Sequence, residues 1–215
     1  MSEPLDASLV RNWLAGRSIA RGLPAPVDAR GGWRVDTCQP NERSRYVFME
    51  VSEDLRKLAL ATTDPLIALK LCGTVASLRL VVSSRWEVQE GGYFMTLTGK
   101  AHARRAVPPG YRAEVAEQDG LITARIFASN GELAASGYGA SASGVFVYDR
   151  IVSQPQHRRR GLGSAIMTLL ASASEEPKSA QALVATDEGR VLYENMGWVV
   201  RSPWTTALIA TPDVR

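Results

Sequence analysis

At 215 residues, with 45% hydrophobic and 22% charged side chains, the chain suits one domain or two small ones and should bury about 70% of the surface it exposes when unfolded. Its glycines and prolines are scattered rather than periodic, which excludes collagen-like, disordered and coiled-coil classes. A net charge of +3 is too mild to imply nucleic-acid binding by itself. The longest uncharged stretch, Leu133 to Tyr148, is rich in Gly, Ser and Ala and falls short of the ~20 apolar residues of a membrane helix.

The start, Met1-Ser-Glu-Pro-Leu-Asp, is acidic and has neither the basic flank nor the apolar core of a secretory signal, so a cytoplasmic protein is expected. Gly31 to Asp36 and Tyr46 to Phe48 are candidate paired strands. Asp64-Pro65 is a good N-cap and first-turn pair for a helix through Leu71. Val75 to Val82 fits either a strand or a helix. Trp86 to Leu97, broken by Gly91-Gly92, reads as a hairpin, and Ala103 to Gly110, with Pro108-Pro109-Gly110, as a linker. Cys38 and Cys72 lack metal-ligand spacing, so they read as buried free thiols and no metal site is expected.

The second half is more legible. Arg112 to Gln118, Leu121 to Ala128 and Glu132 to Ala140 are separated by Asp119-Gly120 and Asn130-Gly131, turn dipeptides that define a three-strand meander. Val145 to Ser153, β-branched and aromatic, is a fourth strand that ends at Pro155. Ile166, Leu169, Leu170 and Ala173 recur at helical spacing after Gly163, and Pro177 limits that helix. Ala182 to Thr186 is a short strand. Asp187 then caps a helix bearing Val191, Leu192 and Met196, which stops at Gly197. Trp198 to Val200 and Trp204 to Ala210 read as two last strands. This order predicts a mixed α/β layer, with residues 1–105 as an N-terminal α/β module and 106–215 as a second unit. No internal repeat is visible.

The sharpest chemical signal lies between the fourth strand and the helix: His157, Arg158, Arg159 and Arg160, followed by Gly161, Leu162, Gly163 and Ser164. Glycines let the backbone approach an anion, and the first amides of a helix point outward at the positive end of its dipole, so a pyrophosphate fits there. A Walker loop would need a lysine after the second glycine, and a Rossmann fingerprint would need a third glycine where Ile166 stands.

The remaining pattern, Arg-x-x-Gly-x-Gly, resembles the coenzyme A loop of the GCN5-related N-acetyltransferases. The resemblance extends upstream to Tyr148–Ser153, similar to the family's splayed fourth strand, and downstream to Leu192-Tyr193-Glu-Asn-Met-Gly197-Trp198, similar to its closing segment. Asp187 stands where that family commonly has Asn, and Trp198 where it has Phe. The resemblance implies an α/β (α+β) fold whose mixed, mostly antiparallel sheet is flanked by helices. It also implies acetyl-CoA as co-substrate, direct acetyl transfer to an amine acceptor, and Tyr193 as the group that protonates the departing thiolate. Ile151, Val152, Ser153, Arg158 to Arg160, Gly161, Leu162, Gly163, Ser164 and Asp187 would then hold the cofactor. Asp149 and Glu114 are the candidate general bases, with a water chain as their alternative. The family places two helices between its first strands, and this half has none, so they must come from the first hundred residues. Two other readings stand beside this one: a coenzyme A binding module without catalysis, and a basic RNA-associated protein using Arg158 to Arg160 with Arg104 and Arg105. Neither the acceptor nor homodimer formation can be read from the sequence.

Overall fold

A computed structural model describes residues 5–97, 105–174 and 180–210. Among these residues eleven strands form one sheet. The first half contributes α1 (Ala7–Arg21), β1 (Val27–Ala29), β2 (Gly32–Gln39), β3 (Glu42–Phe48), α2 (Glu53–Ala61), β4 (Ile67–Leu71), α3 (Val75–Arg79) and β5 (Trp86–Leu97). The second contributes β6 (Tyr111–Gln118), β7 (Leu121–Ala128), β8 (Leu133–Ala142), β9 (Val145–Ser153), α4 (Leu162–Ala173), β10 (Ala180–Ala185), α5 (Asp187–Glu194) and β11 (Val199–Ile209). The meander and the strand before the glycine loop stand where turn chemistry placed them. Gly120 and Gly131 take φ of +76° and +85°, conformations in which a side chain is strained.

The strand order β1-β2-β3-β4-β11-β5-β10-β9-β8-β7-β6 contains a repeat that the residues themselves conceal. A hairpin, a helix, a parallel strand, a helix and a long last strand occur in each half: β2, β3, α2, β4, α3, β5, then β8, β9, α4, β10, α5, β11. Each last strand crosses into the other half. β11 pairs with β4, β5 pairs with β10, and β5 and β11 pair with each other, all antiparallel.

Three apolar clusters follow from this plan. Alternate strand residues face opposite sides of the sheet. On one side Phe146, Leu183, Met95 and Trp198 pack under Ile166 and Leu170 of α4, while Phe48, Leu69 and Leu71 pack under Leu55 and Leu58 of α2. On the other side lies α1. Its Val10, Trp13 and Leu14 meet Val47 from the first half, Val145 and Val147 from the second, and Phe94 and Trp204 from the crossing strands. Trp13 stands edge-on to both Phe94 and Trp204, with centroids 5.2 and 5.1 Å away, a favoured aromatic geometry.

Several expected elements differ. The helix expected from Asp64 is strand β4, because Asp64 Oδ1 accepts from the Leu66 N–H at 2.9 Å and closes a turn. Ile67–Leu71 then pairs with β3 and β11, so sheet pairing overrides the helix-start signal. Trp86–Leu97 is one unbroken strand, not a hairpin. A Cβ at Gly91 or Gly92 would run into the carbonyl oxygen of Trp204 or Ala185, so these glycines serve close strand approach rather than a turn. The two last strands are one, β11, which keeps its pairing with β5 through two register shifts, an extra residue on β11 between Val200 and Ser202 and an extra residue on β5 between Gln89 and Gly92. The Val75 segment is helical. Cys38 is exposed and Cys72 only half-buried, so Cys38 is not the core thiol expected. Pro177 lies outside the described residues, where α4 has already ended at Ala173. Among the described residues, no helix is long and apolar enough to cross a membrane.

Candidate functional site

Between β9 and β10 the sheet opens. The two strands pair in parallel only over Val145–Val147 and Ala180–Ala182. Beyond that point Leu183 to Ala185 pair with β5 alone, while β9 runs on along β8 as far as Ser153. The divergence has a local cause. Tyr138 pairs with Asp149 and Ser136 with Val152, so three residue steps on β9 match two on β8, and Arg150 within this bulge has φ of +52°. A bulge bends its strand. Ile151, Val152 and Ser153 therefore present main-chain groups along an edge that β10 has left.

At the end of that edge, Pro155–His157 forms a single 3-10 turn. Gly161, at φ +78°, then starts α4 in the left-handed region and offers no side-chain cap, and no acidic residue stands in the first turn. The amides of Leu162, Gly163 and Ser164 are thus the helix's outward-pointing donors. Leu192 of α5 lies close beside Gly163, where a Cβ would sit 3.1 Å from Leu192 Cδ2. Arg158, Arg159 and Arg160 are exposed around this turn. Arg105 joins them, since its Cδ comes within 3.9 Å of the position a Gly161 Cβ would take. Arg104 lies outside the described residues.

His157 departs from the run of cations. It is buried, and its Nδ1 lies 3.0 Å from the Tyr111 hydroxyl. That hydroxyl also accepts from Arg160 at 3.1 Å, so Tyr111 ties His157 and Arg160 together. His157 helps to fix the turn through this contact.

The first half has nothing comparable. There β3 and β4 stay paired from Ser44–Ile67 to Phe48–Leu71, leaving no gap. The N-terminus of α2 is capped by the Ser52 side chain and carries Glu53 and Asp54, which repel an anion.

The expected catalytic residues fall in three places. Tyr193 is buried in α5 and packs against Trp198, with centroids 6.0 Å apart; burial pushes its phenol up to about 12. Asp149 stands two residues past the last β9 residue paired with β10, but it faces α1. Its carboxylate accepts from Arg21 at 2.7 and 2.9 Å and from Arg17 at 3.4 Å. Burial alone would raise its pKa, yet the Arg21 hydrogen bonds and the charges of Arg17, Arg21 and Arg150 hold it below the usual carboxylate range. Glu114 is exposed on the outermost strand, paired with Arg112. At ~4.8 Å per strand, three steps put it about 14 Å from β9. Asp187 is not the cap of α5: the Thr186 hydroxyl accepts from the Gly189 N–H at 3.2 Å, and Asp187, one residue into the helix, accepts from the Tyr93 hydroxyl at 2.9 Å.

Sequence reasoning missed the α1 face. Arg17 and Arg21 meet Arg45 and Lys70 there, in a charged cluster whose only signal along the chain was a pair of arginines four apart on a helix.

No protein-family model matches the chain, and no curated protein does. Its fold is that of the GCN5-related N-acetyltransferases. A GCN5-related N-acetyltransferase from Kribbella flavida superposes with a TM-score of 0.69 at 14% identity, over 99% of this chain and 98% of that one. One from Sphaerobacter thermophilus matches at a TM-score of 0.55 and 11% identity, over 96% and 93% of the two chains. A GCN5-related N-acetyltransferase-like protein from Streptococcus suis matches at 0.52 and 13%, over 79% and 80%.

Proposed function

We propose that the protein is an acetyl-CoA-dependent N-acetyltransferase that transfers acetyl directly to an amine. The observation that carries this reading is the conjunction, in the second half alone, of a strand gap with a glycine-started, uncapped helix ringed by arginines. The amides of Leu162 to Ser164 would bind the pyrophosphate, with charge-assisted contacts from Arg158 to Arg160. The open edge at Ile151, Val152 and Ser153 would align the pantetheine arm by main-chain hydrogen bonds. Asp187 would accept from one of its amides. When bound, acetyl-CoA supplies an activated acetyl thioester.

The rest is done by the chain's own residues. Holding amine and thioester together in the gap supplies ~7–11 kcal/mol where the alignment is good. Tyr193, protonated throughout the neutral range, would donate to the leaving sulfur. A phenol raised to about 12 is a weaker acid than a free thiol of ~8.5. Its contribution is therefore hydrogen-bond stabilisation of the thiolate, with full transfer only as far as the same burial raises the thiolate. Asp149, committed to Arg17 and Arg21, braces α1, and Glu114 is remote, so water entering the gap is the candidate proton acceptor. The amino-terminal module would complete the acceptor groove through α1.

That neither Asp149 nor Glu114 stands free at the gap favours a second reading, a coenzyme A binding module without turnover. Calorimetric titration with acetyl-CoA, followed by thiol release over a panel of amines, tests both. Binding with turnover supports the transferase, binding without turnover the module, and no binding overturns both.

A further inference from the structure

On the face of the sheet that α1 covers, four cations are gathered around two carboxylates. Arg17 and Arg21 come from the last turns of α1, Arg45 from β3 and Lys70 from β4. Their side chains are only 20, 28, 10 and 16% exposed. Asp149 takes both α1 arginines and also Arg150. Glu42 takes Arg45 at 2.5 Å and Lys70 at 3.8 Å. Among the described residues, four largely buried cations thus share two anions, a surplus of two positive charges before Arg150 is counted. Burying unpaired charge is costly. Burial, reinforced by the neighbouring charges of Arg21 and Arg45, brings Arg17 down to about 9. Burial, with Arg45, Arg17 and Arg21, brings Lys70 down to about 8 despite Glu42.

The surplus borders an opening. Arg17, Arg21 and Arg45, with Leu14, Ser18, Leu23 and Val35, line a small open cavity of about 10 Å³, room for a water or for one oxygen of an incoming oxyanion. Asp149, which anchors the cluster, lies at the mouth of the gap between β9 and β10. Since α1 and α4 occupy opposite faces of the sheet, the cluster does not belong to the pyrophosphate turn. We infer that the acceptor amine carries an oxyanion, a carboxylate or a phosphate, and that Arg17, Arg21, Arg45 and Lys70 receive it. Guanidinium groups match such oxyanions with paired hydrogen bonds, and the site lies on the side of the gap opposite the arginine turn. This rests on the transferase reading for the word acceptor, but the anion site can be tested without turnover.

The test is calorimetric titration, without acetyl-CoA, of β-alanine and phosphoethanolamine against ethanolamine and propylamine. At least tenfold tighter binding of one oxyanion-bearing amine than of the two amines without an oxyanion is expected, and which one binds separates carboxylate from phosphate. Arg45→Gln and Lys70→Met should each weaken that binding about tenfold. Lys70→Met should in addition raise the urea midpoint of the free protein at neutral pH, because it relieves repulsion, whereas a purely structural lysine would lower it. Equal binding of all four amines, binding of none, or a lowered midpoint with unchanged anion affinity would overturn the inference. Should an anionic amine bind while acetyl-CoA does not, the anion site stands and the transferase reading falls.

Discussion

Arg21 and Asp149 are joined by two hydrogen bonds, of 2.7 and 2.9 Å, across 128 residues of sequence. One partner ends the first helix, and the other lies at the bulge where β9 leaves β10. The pair thus fastens the amino-terminal helix to the edge of the gap. Replacing Asp149 by Asn removes the anion and leaves Arg17 and Arg21 facing each other in a poorly solvated site. A loss of about 3 kcal/mol is expected, as for breaking a buried pair, measured by urea unfolding at pH 7. The folded pKa of Asp149 lies below its unfolded value, so its stabilisation is full above the unfolded value near 3.8 and is lost as pH falls through the folded one. The Asn variant should lack that acid-side loss. If its stability at neutral pH matched the parent protein, the pair would be incidental.

Gly161 permits a comparison that separates charge from backbone. Its φ of +78° strains any side chain, by ~1 kcal/mol or more, but Asn and Asp suffer similarly there. Gly161→Asp adds a carboxylate beside the proposed pyrophosphate turn, and Gly161→Asn does not. Acetyl-CoA affinity should fall more than tenfold in the Asp variant, over ~1.4 kcal/mol, and clearly less in the Asn variant. Equal losses would mean that strain alone is at work, and unchanged affinity in both would move the cofactor elsewhere.

Tyr193→Phe keeps the ring against Trp198 and removes only the hydroxyl. Acetyl-CoA binding should be nearly intact, while kcat measured by thiol release at saturating acetyl-CoA should drop roughly 100-fold. An undiminished kcat would leave Tyr193 a packing residue.

Lys70 gives a pH signature of the same sign as Asp149, but in the alkaline range and because its charged form is destabilised rather than stabilised by folding. Its pKa falls from 10.5 unfolded to about 8 folded, so between those values the unfolded chain holds more protons and stability rises with pH. The groups facing it are Glu42 and Arg45 from β3, Arg17 and Arg21 from α1, and the Thr206 hydroxyl of β11, 3.1 Å from Nζ. The gain is at most about 3 kcal/mol across the window. Cys72, raised by burial to about 12, acts against it above pH 9, which makes pH 8 to 9 the cleanest interval. Comparing urea midpoints of the parent and Lys70→Met across pH 7.5–10.5 isolates Lys70. The difference between them should shrink as pH rises, and a constant difference would show that Lys70 is not titrating there.

What was legible along the chain had local causes. Asp119-Gly120 and Asn130-Gly131 specify their turns through positive φ, Gly161 starts α4 through a positive φ, and Gly163 marks a close backbone approach to α5. Hence the meander, β9 and the glycine turn were all placed from sequence. What was hidden depends on partners far away. Gly91 and Gly92 look like a turn unless one knows that Trp204 and Ala185 lie beside them. Asp64-Pro65 looks like a helix start unless β3 and β11 are there to pair with Ile67–Leu71. The duplicated plan left no trace because its two copies have different loads: Ser52, Glu53 and Asp54 stand where the second copy has arginines and glycines. Asp149 looked like a base because nothing near it in sequence announced Arg17 and Arg21.

The crossing of β5 and β11 yields the last prediction. In a chain beginning at Arg105, β10 loses its β5 partner, and β11 loses both β4 and β5, so two central strands are left with open edges. Phe94 and Met95, both fully buried, are removed from the clusters on the two faces, and α1 no longer covers Val145 and Val147. Exposed edges of apolar strands associate, so this half should be insoluble or bind an apolar-surface dye, and should not bind acetyl-CoA. Supplying residues 1–104 as a separate chain tests whether the loss lies in missing strands rather than in damage to the second half. Co-expression of the two pieces should restore a soluble 1:1 complex, since β5 and β11 each pair with strands of the other piece. A soluble, monomeric second half that binds acetyl-CoA at full affinity would show that the strand exchange is dispensable and that α1 plays no part in shaping the gap.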